Sequence, residues 1–281
     1  MSAQYPRFAC ATLITTPDYV IGGLVLGFSV KRSRWPHETV ALVTPDIGRA
    51  DRERLARVWD RVIEVGQIGN PSRAAEWGLA SFRTVYTKLR LWELTDYTKL
   101  VFIDADAVVL GGLDDLLERP RFAAAPCVTA PDQFNSGVIV LEPSLETFAD
   151  MMSRRGELPS YDGSDQGFLN SYFRDWYAGP PEHRLPLAYN VPRLLAYYRP
   201  AWTRLNGQIK VLHYFGPRKP WAGRSSLRGR VLQWLIARIT SLTMDRPTPA
   251  DIWWELHGEL EDFLRTDEQV GAPASSPARE F

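Results

Sequence analysis

The stretch LVFIDADAVVL, residues 100 to 110, places two carboxylates in the middle of an otherwise apolar run. Apolar residues on both sides of the pair predict a strand that is buried on both faces, as in a largely parallel sheet. Burying an unpaired carboxylate is costly, so Asp104 and Asp106 need either water or a cation beside them. The other polar motifs of the chain indicate which of the two it is.

The composition describes a globular chain without a charge bias. Its 281 residues are 45% hydrophobic, which is enough to bury the core of one large domain. Lysine plus arginine and aspartate plus glutamate both number 33, so the formal net charge is zero. This balance gives no electrostatic argument for a nucleic-acid partner. Any anion that the protein binds must therefore be held by a local site.

The cysteines and the apolar runs predict the compartment. Cys10 and Cys127 both lie inside apolar runs and lack C-x-x-C spacing. We interpret them as small core residues of a protein in a reducing compartment. Residues 1–7 do not resemble a signal peptide, and no run reaches the roughly 18 apolar residues of a membrane span. The sequence therefore predicts a cytoplasmic location.

The order of the predicted elements is that of an α/β fold with helices on both sides of a sheet. Strand patterns occur at 8–14, 39–44, 61–65, 100–110, 134–141 and 210–215. Helical patterns begin at Pro17 and occupy 51–59, 84–94, 113–118, 144–154, 166–176, 227–242 and 250–265. In open sheets of this kind, ligands bind beyond the carboxyl ends of the strands. The carboxylates of the opening stretch are therefore expected at a ligand site.

Asp104 and Asp106 form the first part of a predicted metal site. On an extended strand, side chains two residues apart project from one face, where two carboxylates repel unless a divalent cation lies between them. His213 ends the apolar segment KVLHYF and offers an imidazole, although a histidine in such a strand is more often a packed core residue. An imidazole beside two carboxylates favours Mn²⁺ over Mg²⁺.

The segment GPRKPWAG, residues 216–223, follows that histidine directly. Gly216 provides a turn and Lys219 a cation, a combination that suits a phosphate group. A metal ion between the carboxylates and a diphosphate, with Lys219 offsetting the remaining charge, is the chemistry that these residues predict.

Two further polar segments stand at predicted element boundaries. YDGSDQG, residues 161–167, is explained by helix capping alone, but Asp165 and Gln166 could also reach the hydroxyls of a sugar. FNSGVIV, residues 134–140, places Asn135 and Ser136 at the mouth of a buried strand, where they are either a turn or part of a site.

Four segments in this order resemble glycosyltransferase family 8, in particular its glycogenin-like and plant glucuronosyltransferase-like members. They are TKLRLWELTDYTKLVFIDADAVVLGGLDDLL, FNSGVIVLEPS, DGSDQGFLN and LHYFGPRKPW. The resemblance implies a GT-A fold, which is a Rossmann-like mixed sheet flanked by helices. It also implies a UDP-sugar donor, Mn²⁺ with Mg²⁺ as the alternative, and transfer with retention of anomeric configuration.

The resemblance also assigns roles to residues that match the family's motifs. It implies that Asp104, Asp106 and His213 are the metal ligands. It implies catalytic roles around the donor sugar for Asp162, Asp165 and Gln166. It implies donor contacts at Leu13, Thr15, Tyr19, Lys88, Asp104, Ala105, Asp106, Asn135, Ser136, His213, Gly216 and Lys219. We accordingly expect a GT-A catalytic domain at 1–223, a helical extension packed on it at 224–268 with the C-terminal helices, and a disordered tail at 269–281.

The implied reaction moves a hexosyl unit from UDP-glucose, UDP-galactose or UDP-glucuronate to a hydroxyl acceptor. Glycogenins glucosylate a tyrosine of their own, and an ungapped comparison puts Ala196 at that position, whereas one gap restores a tyrosine. A self-glucosylating primer thus stays an alternative, as does a non-catalytic protein that binds sugar nucleotides. A sugar nucleotidyltransferase is disfavoured because TTPDYVIGG, residues 15–23, lacks a G-x-G turn.

The acceptor is expected to be a carbohydrate or a glycolipid. The helical pattern 226–242 carries arginines beside leucines and could lie on an anionic membrane surface, although packing on the catalytic domain is the commoner explanation. A homodimer is an open alternative to a monomer.

Overall fold

The structure, a computed structural model of the chain, describes residues 6–71, 83–205, 207–216, 218–222 and 247–271. The strands are β1 Phe8–Ile14, β2 Glu38–Val43, β3 Arg61–Glu64, β4 Lys99–Ile103, β5 Ala107–Val109, β6 Phe122–Pro126, β7 Phe134–Leu141, β8 Val191–Pro192 and β9 Val211–His213. Six of them form one sheet in the order β3-β2-β1-β4-β7-β6, and the others form a small sheet in the order β5-β9-β8.

The large sheet is mixed. Strands β3, β2, β1 and β4 run parallel, whereas β7 is antiparallel to both β4 and β6. The predicted α/β class with a mixed sheet is therefore confirmed, and five of the six strands run in one direction. Because β6 is antiparallel to β7 in turn, β7 alone runs against the other five strands of this sheet.

Both faces of the sheet are covered because the strands are apolar on both faces. Along β4, Val101 and Ile103 enter one core while Leu100 and Phe102 enter the other. Successive side chains of a strand point to opposite faces of the sheet. A strand that is covered on both faces is therefore apolar at every position, which is the pattern of a central strand. The apolar run at residues 100–103 of β4 therefore lies in a central strand of the sheet.

The helices cover these two faces. They are α1 Val20–Arg32, α2 Arg49–Leu55, α3 Leu145–Arg154, α4 Asp165–Tyr172, α5 Arg199–Leu205 and α6 Pro249–Gly271. Short 3₁₀ helices occur at Pro17–Tyr19, Val85–Glu93, Asp114–Glu118, Pro181–His183, Leu187–Tyr189 and Arg193–Tyr197. The helix predicted at 84–94 is thus a 3₁₀ helix. The one predicted at 51–59 ends early, and the Trp59 indole donates a hydrogen bond to the Gly23 carbonyl at 2.9 Å.

The stretch 100–110 is not one strand, as predicted, but two strands in different sheets. Strand β4 ends at Ile103, and the amide of Ala107 donates to the Asp104 carbonyl at 3.0 Å, closing a turn before β5. The expectation that Asp104 and Asp106 share the face of an extended strand is therefore wrong. Two carboxylates fit poorly into a buried ladder, so the chain leaves the first sheet where they occur.

The C-terminal helix α6 packs against α1 through one apolar face. Its Trp253, Leu256 and Leu260 are buried, and Phe263 lies with its ring centroid 5.6 Å from that of Phe28. The helix predicted at 227–242 and residues 272–281 of the predicted tail lie outside the described residues. Within the described part of the chain, no helix is long and apolar enough to cross a membrane.

Candidate active site

A turn and a strand pairing bring three possible metal ligands together. Asp104 and Asp106 occupy the turn after β4, and Ala107 pairs with His213 where β5 runs antiparallel to β9. The pairing spans a separation of 107 residues between Asp106 and His213. One ligand atom from each of the three residues lies within 4.8 Å of the others, so the group could hold a metal ion.

The imidazole of His213 faces both carboxylates. Its Nε2 is 3.1 Å from Asp106 Oδ1 and 3.9 Å from Asp104 Oδ2. Gly137 in β7 makes room for the ring, because a Cβ atom there would lie 2.2 Å from His213 Cε1. The absence of a side chain at Gly137 is therefore a requirement of this arrangement.

Lys88 is buried between two carboxylates. Its Nζ lies 3.1 Å from Asp104 Oδ1 and 2.7 Å from Asp165 Oδ2, and it donates to the Ser136 carbonyl at 3.2 Å. Burial alone would lower the pKa of Lys88, but Asp104 and Asp165 more than offset this effect and raise it. The lysine therefore supplies a fixed positive charge between the Asp104 turn and the start of α4.

Lys219 neutralises the second carboxylate. Its Nζ pairs with Asp106 Oδ2 and also donates to the Tyr214 carbonyl at 3.2 Å. The turn that returns Lys219 to the site contains Gly216 at φ +93°, a conformation that favours glycine. The backbone after β9 is thus shaped to bring a cation beside the carboxylates.

The two carboxylates of the turn experience different environments. Burial alone would raise the pKa of Asp106, but His213 and Lys219 outweigh it and lower that pKa. At Asp104, burial prevails over the attraction of Lys88, so its pKa is raised above the ordinary value. Asp106 is therefore the more firmly ionised of the pair.

The start of α4 contributes a third group of polar side chains. Ser164 is the N-cap, since its Oγ accepts from the Gln166 amide at 3.1 Å. Asp162 holds the preceding loop by accepting from the amides of Ser164 and Gly167 at 2.9 and 3.1 Å. Helix capping, the simpler explanation of this segment, is thus carried by Ser164 and not by Asp165.

Asp165 and Gln166 point instead toward the mouth of β7. Ser136 Oγ donates to Asp165 Oδ2 at 2.9 Å, and Asn135 Nδ2 donates to Gln166 Oε1 at 2.9 Å. The predicted pairs 135–136 and 165–166 are therefore one hydrogen-bonded group.

Two adjoining cavities meet at this group. The smaller, about 190 Å³, is lined by Leu13, Thr15, Tyr19, Ala105 and the shared residues. The larger, about 380 Å³, is lined by further residues including Asn135, Ser136, Asp162, Gln166 and His213. The shared residues are Val85, Lys88, Asp104, Asp106 and Asp165.

Every residue predicted for the site lies in these walls or next to them. Lys219 and Gly216 are outside both walls, but Lys219 contacts Asp106 and its Nζ lies 5.4 Å from the centre of the Tyr19 ring. Burial, reinforced by Asp106 and Asp104, raises the pKa of the Tyr19 hydroxyl and keeps it neutral.

The sequence missed several wall residues. The larger cavity also contains Val85, Cys127, Thr129, Ser164 and Phe215. Cys10 is buried in the core as predicted, but the prediction that Cys127 is a core residue is wrong, because it is partly exposed in the cavity wall. Cys127 and Thr129 lie in the loop between β6 and β7, and the prolines at 126 and 131 were the available signal for that loop.

The fold and this site together define a class of protein. A mixed, Rossmann-like sheet with an Asp-Xaa-Asp turn after a central strand is the architecture of GT-A glycosyltransferases. The crystal structure of the galactosyltransferase LgtC with donor and acceptor sugar analogues has the same fold, with a TM-score of 0.61 and 19% sequence identity over 89% of this chain and 95% of that one. The chain is therefore a GT-A protein by fold.

Sequence comparison identifies the family within that class. Rabbit (Oryctolagus cuniculus) glycogenin-1 is 36% identical over 251 residues, covering 88% of this chain and 74% of that protein. Human glycogenin-2 is 37% identical over 278 residues, which cover 96% of this chain and 54% of that protein. This chain belongs to the glycogenin-like glycosyltransferases, which confirms the family resemblance of its motifs. No protein-family model matches it. The chain spans about half to three quarters of the length of these relatives.

Proposed function

We propose that this protein is a retaining, metal-dependent transferase of family 8 that moves a hexosyl unit from a UDP-sugar to a hydroxyl acceptor. The observation that carries the proposal is the pair of cavities joined at Asp104 and Asp106. A nucleoside in the smaller cavity and a sugar in the larger one would place the diphosphate between them at the carboxylates.

The ligand set supports a divalent cation. Two carboxylates and one imidazole with ligand atoms within 4.8 Å suit Mn²⁺ better than Mg²⁺, since Mg²⁺ prefers oxygen ligands alone. When bound, such an ion stabilises negative charge on a departing diphosphate. Lys219, next to Asp106, would add a second positive charge to the same phosphate groups.

Asp165 is the carboxylate best placed to act on the sugar. It lies in the wall shared by both cavities, and Lys88 and Ser136 fix its Oδ2. In one route it attacks the anomeric carbon as the sugar–phosphate bond breaks, and the acceptor oxygen later displaces the Asp165 carboxylate while the acceptor's proton passes to the departed diphosphate. In the other, the acceptor attacks from the side of the leaving phosphate, which takes the proton, and Asp165 stabilises the charge that develops. Gln166 and Asp162 hold the surrounding loop and the sugar hydroxyls in both routes.

Calorimetry of UDP binding tests the metal and nucleotide parts of this proposal. We expect UDP to bind in the presence of Mn²⁺ and to lose most of its affinity in excess chelator. Binding that ignores the metal, or no binding, would contradict the enzyme proposal and would favour the non-catalytic alternative. Release of UDP from UDP-glucose, UDP-galactose and UDP-glucuronate, compared side by side, identifies the donor.

Substitution of Asp165 tests the proposed chemistry. Asp165→Asn removes the charge but keeps the size of the side chain, so we expect transfer to fall by at least about a hundredfold while UDP binding persists. Full transfer activity in this variant, with metal and donor binding intact, would exclude both roles of Asp165. Asp96→Asn is the matched control, since Asp96 is an exposed residue before the opposite end of β4.

Self-glycosylation is a second candidate, favoured by the exposure of two tyrosines. Tyr197 and Tyr198 are 76% and 64% exposed, whereas Ala196 beside them is 4% exposed. After incubation with Mn²⁺ and a UDP-sugar, self-glycosylation would add hexose masses to the intact protein. Those additions should disappear in Tyr197→Phe or Tyr198→Phe. An unchanged mass would leave an external carbohydrate as the acceptor.

The location and the partners complete the proposal. We place the protein in the cytoplasm, because its two cysteines are free thiols, as in reducing compartments. Peripheral contact with a membrane and homodimer formation stay predictions. Flotation with anionic vesicles tests the first, and sedimentation at several protein concentrations tests the second.

A further inference from the structure

Asn190 lies directly behind His213, on the side away from the carboxylates. It immediately precedes β8, in which Pro192 pairs with His213 of β9. The Asn190 side chain is buried, with Oδ1 2.9 Å from His213 Nδ1 and Nδ2 2.8 Å from Asn135 Oδ1. The comparison of motifs assigns no role to this residue, although it contacts both a metal-ligand candidate and a residue of the sugar-side wall.

The direction of these hydrogen bonds follows from one backbone amide. The Gly137 N–H lies 2.9 Å from the Asn135 side-chain atom, and because a backbone amide can only donate, that atom is the oxygen. The Asn190 atom that faces this oxygen must then be the NH₂ group. The remaining Asn190 atom is an oxygen, so it accepts a hydrogen bond from the N–H group at His213 Nδ1.

A second backbone amide fixes the other end of the chain of amides. The Ser136 N–H is 3.3 Å from Gln166 Oε1, which identifies this atom as an acceptor. Asn135 Nδ2 donates to the same oxygen at 2.9 Å. Hydrogen bonds are therefore donated in one direction, from His213 to Asn190, from Asn190 to Asn135 and from Asn135 to Gln166. The two backbone amides, which can only donate, fix this direction.

We propose that Asn190 is a positioning residue that holds His213 in the Nδ1–H tautomer and in a fixed orientation. With Nδ1–H held by Asn190, Nε2 is the atom that faces Asp106 and Asp104. A charged ring has a second N–H at Nε2, which can donate to Asp106, whereas a neutral ring in the Nδ1–H tautomer has a lone pair there that a metal ion can use. Outer hydrogen bonds of this kind orient metal-binding histidines in many proteins. The consequence for metal binding rests on the proposed function, whereas the tautomer itself does not.

Nitrogen NMR of the metal-free protein tests the tautomer. The chain has four histidines, and the His213 signals are those that vanish in His213→Asn. In alkaline buffer we expect His213 to carry its proton on Nδ1, and Asn190→Leu to shift it toward Nε2–H or a mixture. The Nε2–H tautomer in the unmodified protein, or no change in a folded Asn190→Leu variant, would overturn the proposal.

Calorimetric titration with Mn²⁺ tests the consequence for binding. Loss of such an outer contact weakens metal affinity by roughly 10- to 100-fold, which we expect for Asn190→Leu. Asn190→Asp keeps an oxygen that can accept from Nδ1, so the tautomer and most of the affinity should persist. Equal losses of tautomer and affinity in the Asp and Leu variants would contradict the role assigned to the acceptor.

A control variant separates this role from general destabilisation. Thr39→Val removes another buried hydrogen-bonding group, the hydroxyl that donates to Asp60 Oδ2 at 2.8 Å in β2. It should leave the His213 tautomer and the Mn²⁺ affinity unchanged. If Asn190→Leu fails to fold, the tautomers of the unmodified protein and of Asn190→Asp test the proposal. Nδ1–H in both supports it, and Nε2–H in either overturns it. If the unmodified protein binds no Mn²⁺, the proposed function fails while the tautomer is still measured.

Discussion

At the scale of single residues, the site is a balance of buried charges. Asp104 and Asp106 lie opposite Lys88 and Lys219, and each lysine is paired with one of them. His213 stands between the carboxylates and Asn190. Because each carboxylate already has a cationic partner, the turn can be buried without a metal and remain folded. A metal ion that binds there would replace lysine contacts of the two carboxylates, and the fold of the turn would not have to change.

Removal of the Asp106 charge should separate binding from folding. Asp106→Asn keeps the size of the side chain but removes one proposed metal ligand and the partner of Lys219. We expect Mn²⁺-dependent UDP binding to be lost in calorimetry while the far-ultraviolet circular dichroism spectrum is unchanged. Asp96→Asn, which neutralises an exposed residue before the opposite end of β4, should bind like the unmodified protein. Retained binding in Asp106→Asn would exclude Asp106 as a ligand.

Gly137→Ala should displace His213 without altering any ligand. The added Cβ would lie 2.2 Å from Cε1 and 2.6 Å from Nδ1 of the imidazole, so the ring or β7 has to move. Overpacking of this kind costs about 1–3 kcal/mol, measurable by urea unfolding, and metal affinity should fall as well. Gly69→Ala, where no atom lies within 4 Å of the new Cβ, is the control. Equal stability of the two variants would show that the ring has space.

At the scale of elements, the site depends on a support from the C-terminal helix. Trp221, two residues after Lys219, packs edge-on against Tyr19, with 5.7 Å between ring centroids. It also packs at a tilt against Trp253 of α6, with 5.4 Å between ring centroids. The ring also lies against Gly22 of α1, where a Cβ would come within 2.7 Å of it. The segment that carries Lys219 is therefore held between the first and the last helix described.

Replacing one glycine by alanine in α6 and one in α1 should change the free energy of unfolding in opposite directions. Gly258 in α6 has no atom within 4 Å of an added Cβ, so Gly258→Ala should stabilise the protein by about 0.5–1 kcal/mol through helix propensity. In α1, Gly27→Ala would put a Cβ 2.6 Å from Nε1 of the buried Trp59 and should destabilise it by about 1–3 kcal/mol. Urea unfolding of both variants measures the two changes in stability. A gain at Gly27 would show that Trp59 can move.

At the scale of the whole molecule, the two thiols report on different regions. Cys10 lies in the central strand β1, where burial raises the pKa of its thiol to about 12. A raised pKa keeps the thiol protonated and unreactive up to that pH. Cys127 lies in the wall of the larger cavity and is partly exposed. Thiol reactivity therefore distinguishes the core from the site.

Donor binding should protect Cys127 from a thiol reagent. In native protein near pH 8 we expect one thiol to react with a chromogenic disulfide, and two to react in denaturant. A UDP-sugar with Mn²⁺ should slow the native reaction more than UDP does, because the sugar would occupy the cavity that contains Cys127. Cys127→Ser, which leaves only the buried thiol, is the control. Protection by UDP as strong as by the UDP-sugar would contradict the assignment of the cavities.

Local sequence patterns predicted most of the fold. Strands β1 and β7 have the predicted bounds, because their mainly apolar segments are buried on both faces of a sheet. The strands β6 and β8 escaped prediction because each is short and ends in a proline, a residue that weakens the pattern of a strand. Residue types in the four motif segments predicted the members of the site, since carboxylates, imidazole and lysine each imply their own chemistry.

The sequence by itself thus determined the α/β class, the family and the residues that could bind a metal and a diphosphate. Only the tertiary structure decided how they meet. The turn at Asp104–Asp106 exists because the chain leaves the first sheet after β4 and continues as β5 in the second sheet, where it pairs with β9. That pairing joins distant segments, and no local pattern encodes it. The pairing of Lys88 with Asp165 and the hydrogen bond that His213 Nδ1 donates to Asn190 are equally non-local. Pattern and propensity act over a few neighbouring residues, whereas charge pairing and hydrogen-bond direction depend on distances that exist only after folding.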